Sequence, residues 1–144
     1  MGPGATALRQ MRIVHAIMFL WVLVDAWLAE RFAQNASGFS IAFLKVIVIA
    51  CAGDVLVAYY FRRKKVLPAL EKLRRDPNDG GALKLWHEGT IVVAVLAVSV
   101  ALFGFVLRFM GAGRRFSWPF FLVGLVLMLI WRPQLDLGDD IHQP

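Results

Sequence analysis

The sequence predicts an all-α integral membrane protein, a four-helix transmembrane bundle with both termini in the cytoplasm. Three observations carry that expectation. Four apolar stretches, residues 13–32, 40–61, 85–107 and 116–131, each come near the ~20 residues a helix needs to cross a hydrocarbon core. Hydrophobic residues make up 59% of the 144-residue chain and mean hydropathy is +0.64, which leaves too little polar surface to cover a soluble globule. Basic residues, finally, gather in alternate connections. Residues 62–84 hold eight of them, from Arg62-Arg63-Lys64-Lys65 through Lys72, Arg74 and Arg75 to Lys84, and Arg9 and Arg12 precede the first span. The opposite connections hold Arg31 on one side and Arg108, Arg114 and Arg115 on the other. The positive-inside rule then puts the long connection and both ends in the cytoplasm of a bacterial-type inner membrane, as one multi-pass domain over residues 1–144.

The first stretch opens with Arg9 and Arg12, as a signal peptide would, but its apolar run continues to Phe32 without an Ala-x-Ala-like cleavage site and reads as a span. The pattern Met1-Gly2-Pro3-Gly4-Ala5-Thr6 matches myristoylation only loosely, and Pro3 directly after the glycine argues against it. Asn35-Ala36-Ser37 is a glycosylation sequon in a connection too short to hold a sugar clear of the bilayer. In the second stretch lies Cys51, the single cysteine, which excludes an intramolecular disulfide and leaves CxxC chemistry without ligands.

The linker 62–84 carries its own pattern. Val66, Leu70 and Leu73 share one face of a short amphipathic helix with charges opposite, and Pro68 is tolerated in its first turn. Such a segment is expected in the headgroup region, basic side toward anionic lipid. Asp76-Pro77-Asn78-Asp79-Gly80-Gly81 is turn chemistry, with Asn78 or Asp79 placed to cap the third span. In that span Thr90, Ala94, Ala97, Ala101 and Gly104 recur at steps of three or four, the small-residue stripe through which membrane helices approach closely, and His87 extends it. Ala50 and Gly53 give span two a similar surface. Gly111-Ala112-Gly113-Arg114-Arg115 is a tight turn rather than a phosphate loop. Span four, rich in Phe, Leu, Val and Ile, reads as peripheral; Trp86, Trp118 and Trp131 suit interfacial belts and Trp21 a packed position. The tail, residues 133–144, is acidic through Asp136, Asp139 and Asp140.

Function is addressed only by the ionisable residues inside the spans, which are functional hypotheses by default in a bilayer. Asp25 and Lys45 fall at matching depth on adjacent antiparallel spans and are expected to form a buried charge pair, serving either helix register or a proton or ion relay. Asp54 lies half a turn out of phase with Lys45 and nearer the depth of His15 and His87, so an Asp54–histidine contact is expected. The echo Arg12-Ile13-Val14-His15 and Lys84-Leu85-Trp86-His87 sets the two histidines at one depth. Formal net charge is +6, but the basic residues sit at helix ends, which is membrane topology and not a nucleic-acid surface. GxSxG, HExxH, P-loop and strand-borne GxGxxG motifs are all absent, so a non-enzyme is expected.

Two roles fit. The first is a small membrane subunit or homo-oligomeric assembly component, its partners the lipid bilayer and other membrane subunits or itself, with proton or ion passage through Asp25, Lys45 and Asp54 and no cofactor. The second is a redox membrane subunit binding haem b or quinone through His15, His87 and Asp54.

Overall fold

The structure, a computed structural model, describes residues 3–32 and 40–133. The Met1-Gly2 pattern, the Asn35-Ala36-Ser37 sequon and the tail with Asp136, Asp139, Asp140 and His142 lie outside the described residues. Those described are mostly helical, without strands: α1 (Pro3–Phe32), α2 (Ile41–Phe61), a five-residue π-helical turn (Arg62–Val66), α3 (Leu67–Arg75), α4 (Gly80–Phe109) and α5 (Arg114–Ile130). α1, α4 and the continuous helix formed by α2 and α3 are long and apolar enough to cross a membrane. This is a membrane protein.

Local chemistry sets the boundaries. Ser40 and Asp79 cap α2 and α4, their side chains accepting from the backbone N–H of Ala42 and Ala82. Pro68 has no N–H to give the helix and its ring presses on the preceding turn; the π-helical turn directly before it widens the helix there, with the Leu67 N–H reaching back to the Arg62 carbonyl. The chain thus runs from span into linker without a break. α4 ends in a Schellman arrangement: Gly111 takes φ of 88°, Gly111 N–H bonds the Arg108 carbonyl, and Ala112 N–H bonds that of Leu107.

α4 is the hub. α5 folds back antiparallel along it, α1 lies parallel to it in the α4–α5 groove, and α2 runs antiparallel on a third side. No Cα pair between α1 and α2 comes within 8 Å. The small-residue stripe is where α5 docks. A side chain at Gly124 would meet Ala101 Cβ at 2.8 Å and the Ala97 carbonyl at 3.0 Å, and one at Gly104 would meet the Ser117 carbonyl at 2.8 Å. The reading of the fourth stretch as peripheral is therefore corrected: α5 is α4's most intimate partner, because glycines on both helices allow backbone contact. Its outer side, with Leu122, Val123, Val126, Leu129 and Ile130, is exposed.

α3 packs against the rest of the protein. Its apolar face, Ala69 and Leu73 with Val66 and Leu70, packs with Met11, Ala82 and Trp86 across the ends of α1 and α4. Trp86 is consequently buried, not interfacial, whereas Trp21 is 60% exposed on the outer side of α1. Both reverse the expectation from depth alone, since depth does not tell which side of a helix a residue occupies.

Replacing Gly124 by Leu should lower resistance to unfolding in sodium dodecyl sulfate by roughly 1–3 kcal/mol, as overpacking does. Gly53 has no atom within 4 Å of a built side chain, so Gly53→Ala should be neutral or stabilising. Equal losses would mean that the α4–α5 contact is not the close one.

Candidate functional site

The functional side chains converge on α1. Met11, His15, Met18, Val22, Asp25 and Ala29 recur at alternating steps of four and three and are the buried or half-buried residues that face α4 and α5. Two polar residues thus occupy an otherwise apolar packing seam.

Asp25 lies between Val22 and Ala29 on this seam and is 7% exposed. Its Oδ2 is buried and accepts no hydrogen bond among the described residues. Buried side-chain oxygens are normally partnered, and an ionised carboxylate in hydrocarbon is costly without a partner, so this one marks a special position.

His15 sits ~15 Å along the helix from Asp25, at ~1.5 Å per residue. Its Nε2 donates to the Met128 carbonyl at 2.9 Å. A carbonyl can only accept, so Nε2 carries the hydrogen. Met128 lies in the last turn of α5, where carbonyls lack partners inside their own helix, and His15 supplies one from outside. Beside it a cleft of about 770 Å³ opens between α1, α3 and the end of α5. Arg12, Arg74 and Arg132 form its polar rim with His15, and Ala16, Phe19, Leu70 and Leu129 its apolar wall.

The opposite end of the bundle is held by charge. Glu30 accepts from Arg114 Nε and, at 2.9 Å, from Trp118 Nε1, and Arg108 Nε lies 3.5 Å from Glu30 Oε1 as an ion pair without hydrogen-bond alignment. Arg108 also donates through Nη1 to the Ala112 carbonyl at 3.2 Å. One carboxylate therefore ties α1 to α4 and α5 at once.

The remaining expected partners are kept apart. Lys45 is exposed on α2, and Asp25 faces α4 and α5 from α1, a helix that α2 does not reach; the Asp25–Lys45 pair is not formed. Near the end of α2, Lys45 can extend its ammonium toward the headgroups. Asp54 is half-buried on α2, about three turns, ~18 Å, before Val66, which itself abuts Gly89 beside His87. Asp54 therefore meets neither His87 nor, across the α1–α2 separation, His15. His87 is half-buried on the α4 face it shares with Ala94. For paired haem ligation the obstacle is His15, whose Nε2 is committed to Met128. No group of three or more His, Cys, Asp or Glu able to hold a metal forms among the described residues.

Comparison with family models, with curated proteins and with solved structures finds no match. The functional reading rests on these side chains.

Glu30, Arg108, Arg114 and Trp118 escaped the sequence reading as a unit because the charges were counted only as topology signals. Glu30, the single acidic residue at that end of the first span, was the available clue. Glu30→Gln should reduce stability by roughly 1–3 kcal/mol, since it leaves the largely buried Arg108 uncompensated. Arg114→Gln should cost less than about 1 kcal/mol because that side chain is 71% exposed. Unfolding titrations in mixed micelles that reverse this order would remove Glu30 from the centre of the clamp.

Proposed function

We propose that the protein is a non-catalytic subunit of a membrane assembly, built from copies of itself or with other membrane subunits, and that the α1 seam serves proton or ion passage. The observation that carries the reading is Asp25: a buried carboxyl with an unpartnered oxygen, within an apolar helix, for which the expected lysine supplies no counter-charge. A carboxyl in that position can accept and release a proton without rebuilding a salt bridge. Along the same helix His15 stands ~15 Å away beside an open cleft and Glu30 ~7 Å away at the other end, so titratable groups are spaced from one end to the other.

Met18, Val22 and Ala29 separate these groups with tightly packed apolar side chains along the seam. Passage therefore requires the seam to open or to be completed within an assembly. Exposed apolar residues suited to such contacts run along α4 between α1 and α2, at Val95, Leu102, Val106 and Phe109. In this reading α5, 17 residues long and near ~26 Å, crosses as a fourth span. Both termini and the basic linker then lie in the cytoplasm of a bacterial-type inner membrane.

Proteoliposomes loaded with a pH-sensitive dye and given a potassium–valinomycin potential test the proposal. The wild-type protein is expected to pass protons, Asp25→Asn to abolish the flux with helix content unchanged, and Lys45→Met to leave it intact. Wild-type vesicles as tight as empty ones, or an Asp25→Asn protein that conducts normally, would refute it.

A further inference from the structure

We infer that the cleft at the linker end is a binding site for one anionic phospholipid, its phosphate held between Arg12 and Arg132 and its acyl chain laid along Ala16, Phe19 and Leu129. The inference is independent of proton passage and concerns a different ligand.

Charge, size and place converge on it. Guanidinium groups enter the rim from three separate segments, Arg12 from α1, Arg74 from α3 and Arg132 from just beyond α5, and among the described residues no acidic side chain lines the cleft. Planar guanidinium forks match phosphate oxygens. The Met128 carbonyl, whose partial negative charge would repel an anion, is already taken by His15. Size separates a lipid from a bare anion. The ~770 Å³ cleft falls in the range of roughly 300–1,000 Å³ that holds molecules of drug size, and a single phosphate would leave its apolar wall wet. The cleft also lies where α5 gives way to Trp131 and Arg132, an aromatic–basic pair of the kind found at headgroup level. A soluble polar anion would gain nothing from Phe19 and Leu129; a lipid uses both halves.

The test is calorimetric titration of the full chain in a neutral detergent with dioctanoyl phosphatidylglycerol, with dioctanoyl phosphatidylcholine and inorganic phosphate as comparison ligands. Saturable binding of phosphatidylglycerol is expected, with phosphatidylcholine and inorganic phosphate each far weaker. Removing both rim charges in Arg12→Gln/Arg132→Gln should weaken binding about thirtyfold, the effect of two basic residues at a membrane surface. Ala16→Trp should weaken it comparably by filling the cleft at unchanged charge. Arg63→Gln/Lys64→Gln, which removes the same charge from exposed positions outside the cleft, should leave it unaltered. Arg12, Ala16 and Arg132 are exposed, so these variants are expected to keep wild-type helix content by circular dichroism. Equal losses in the Arg63/Lys64 variant would reduce the site to diffuse attraction. Inorganic phosphate binding as tightly as the lipid would make it an anion site. A tenfold or greater gain in Asp136→Asn/Asp139→Asn/Asp140→Asn would identify the occupant as the chain's own acidic tail. Each of these outcomes would overturn the assignment.

Discussion

Everything in this bundle hangs on the close approach of α4 and α5 at Gly124, Ala101, Ala97 and Gly104. In lipid an apolar side chain gains little by leaving hydrocarbon for another apolar surface, so helices associate through van der Waals fit and not through dehydration. Glycine and alanine achieve that fit by letting backbones touch. The tight turn at Gly111 fixes the hairpin's register, and the resulting α4–α5 pair presents a groove of definite shape. α1 fills the groove. α2 reaches α4 from another side and is held at its far end by the close contact of Val66 with Gly89.

That arrangement explains why α1 can carry polar residues. Its seam faces α4 and α5, so the Asp25 carboxyl is shielded there, while His15 stands at the edge of the linker-end cleft. At one end His15 satisfies a carbonyl that α5 cannot satisfy itself; at the other Glu30 bonds an indole and the Arg114 guanidinium, with Arg108 close by as an ion pair. Both contacts span α1 and α5, so the ends of the groove are pinned by directional bonds where its middle is held by shape. Sliding α1 by one turn would break both pins at once, a register constraint of the kind best attested for polar groups in helix assemblies.

How much of this was legible in the sequence varies with the physics behind each signal. The small-residue stripe of α4, the Asp79 cap, the glycine turn and the amphipathic face of α3 could be read because each depends on local residue chemistry. The neighbours of α1 could not. Sequential spans are often adjacent, and that assumption generated the Asp25–Lys45 and Asp54–histidine contacts. Here α4 and α5 pair most closely, and α1 and α2 stand on different sides of α4. In a soluble protein the polar face of a helix reveals which side is buried. In α1 and α2 both the lipid-facing and the protein-facing sides are apolar, so that signal is erased, and Trp21 and Trp86 were placed by depth without knowledge of direction.

The contrast between Glu30 and Asp25 bears on what the seam is for. Both are carboxyls on one helix, facing the same two neighbours. Glu30 does what a structural carboxyl does: it is bonded to Trp118 and Arg114 with Arg108 close by, and its removal leaves a cation stranded. Asp25 joins no such network, although it is the more deeply buried. If helix packing alone had shaped that position, a residue such as Ala or Val would fill it at lower cost, as Val22 and Ala29 do on either side. The Trp21 indole, one turn back on the same helix, is an uncharged neighbour of this carboxyl, and in the proposed proton or ion passage the lack of a fixed counter-charge is what would leave Asp25 free to exchange.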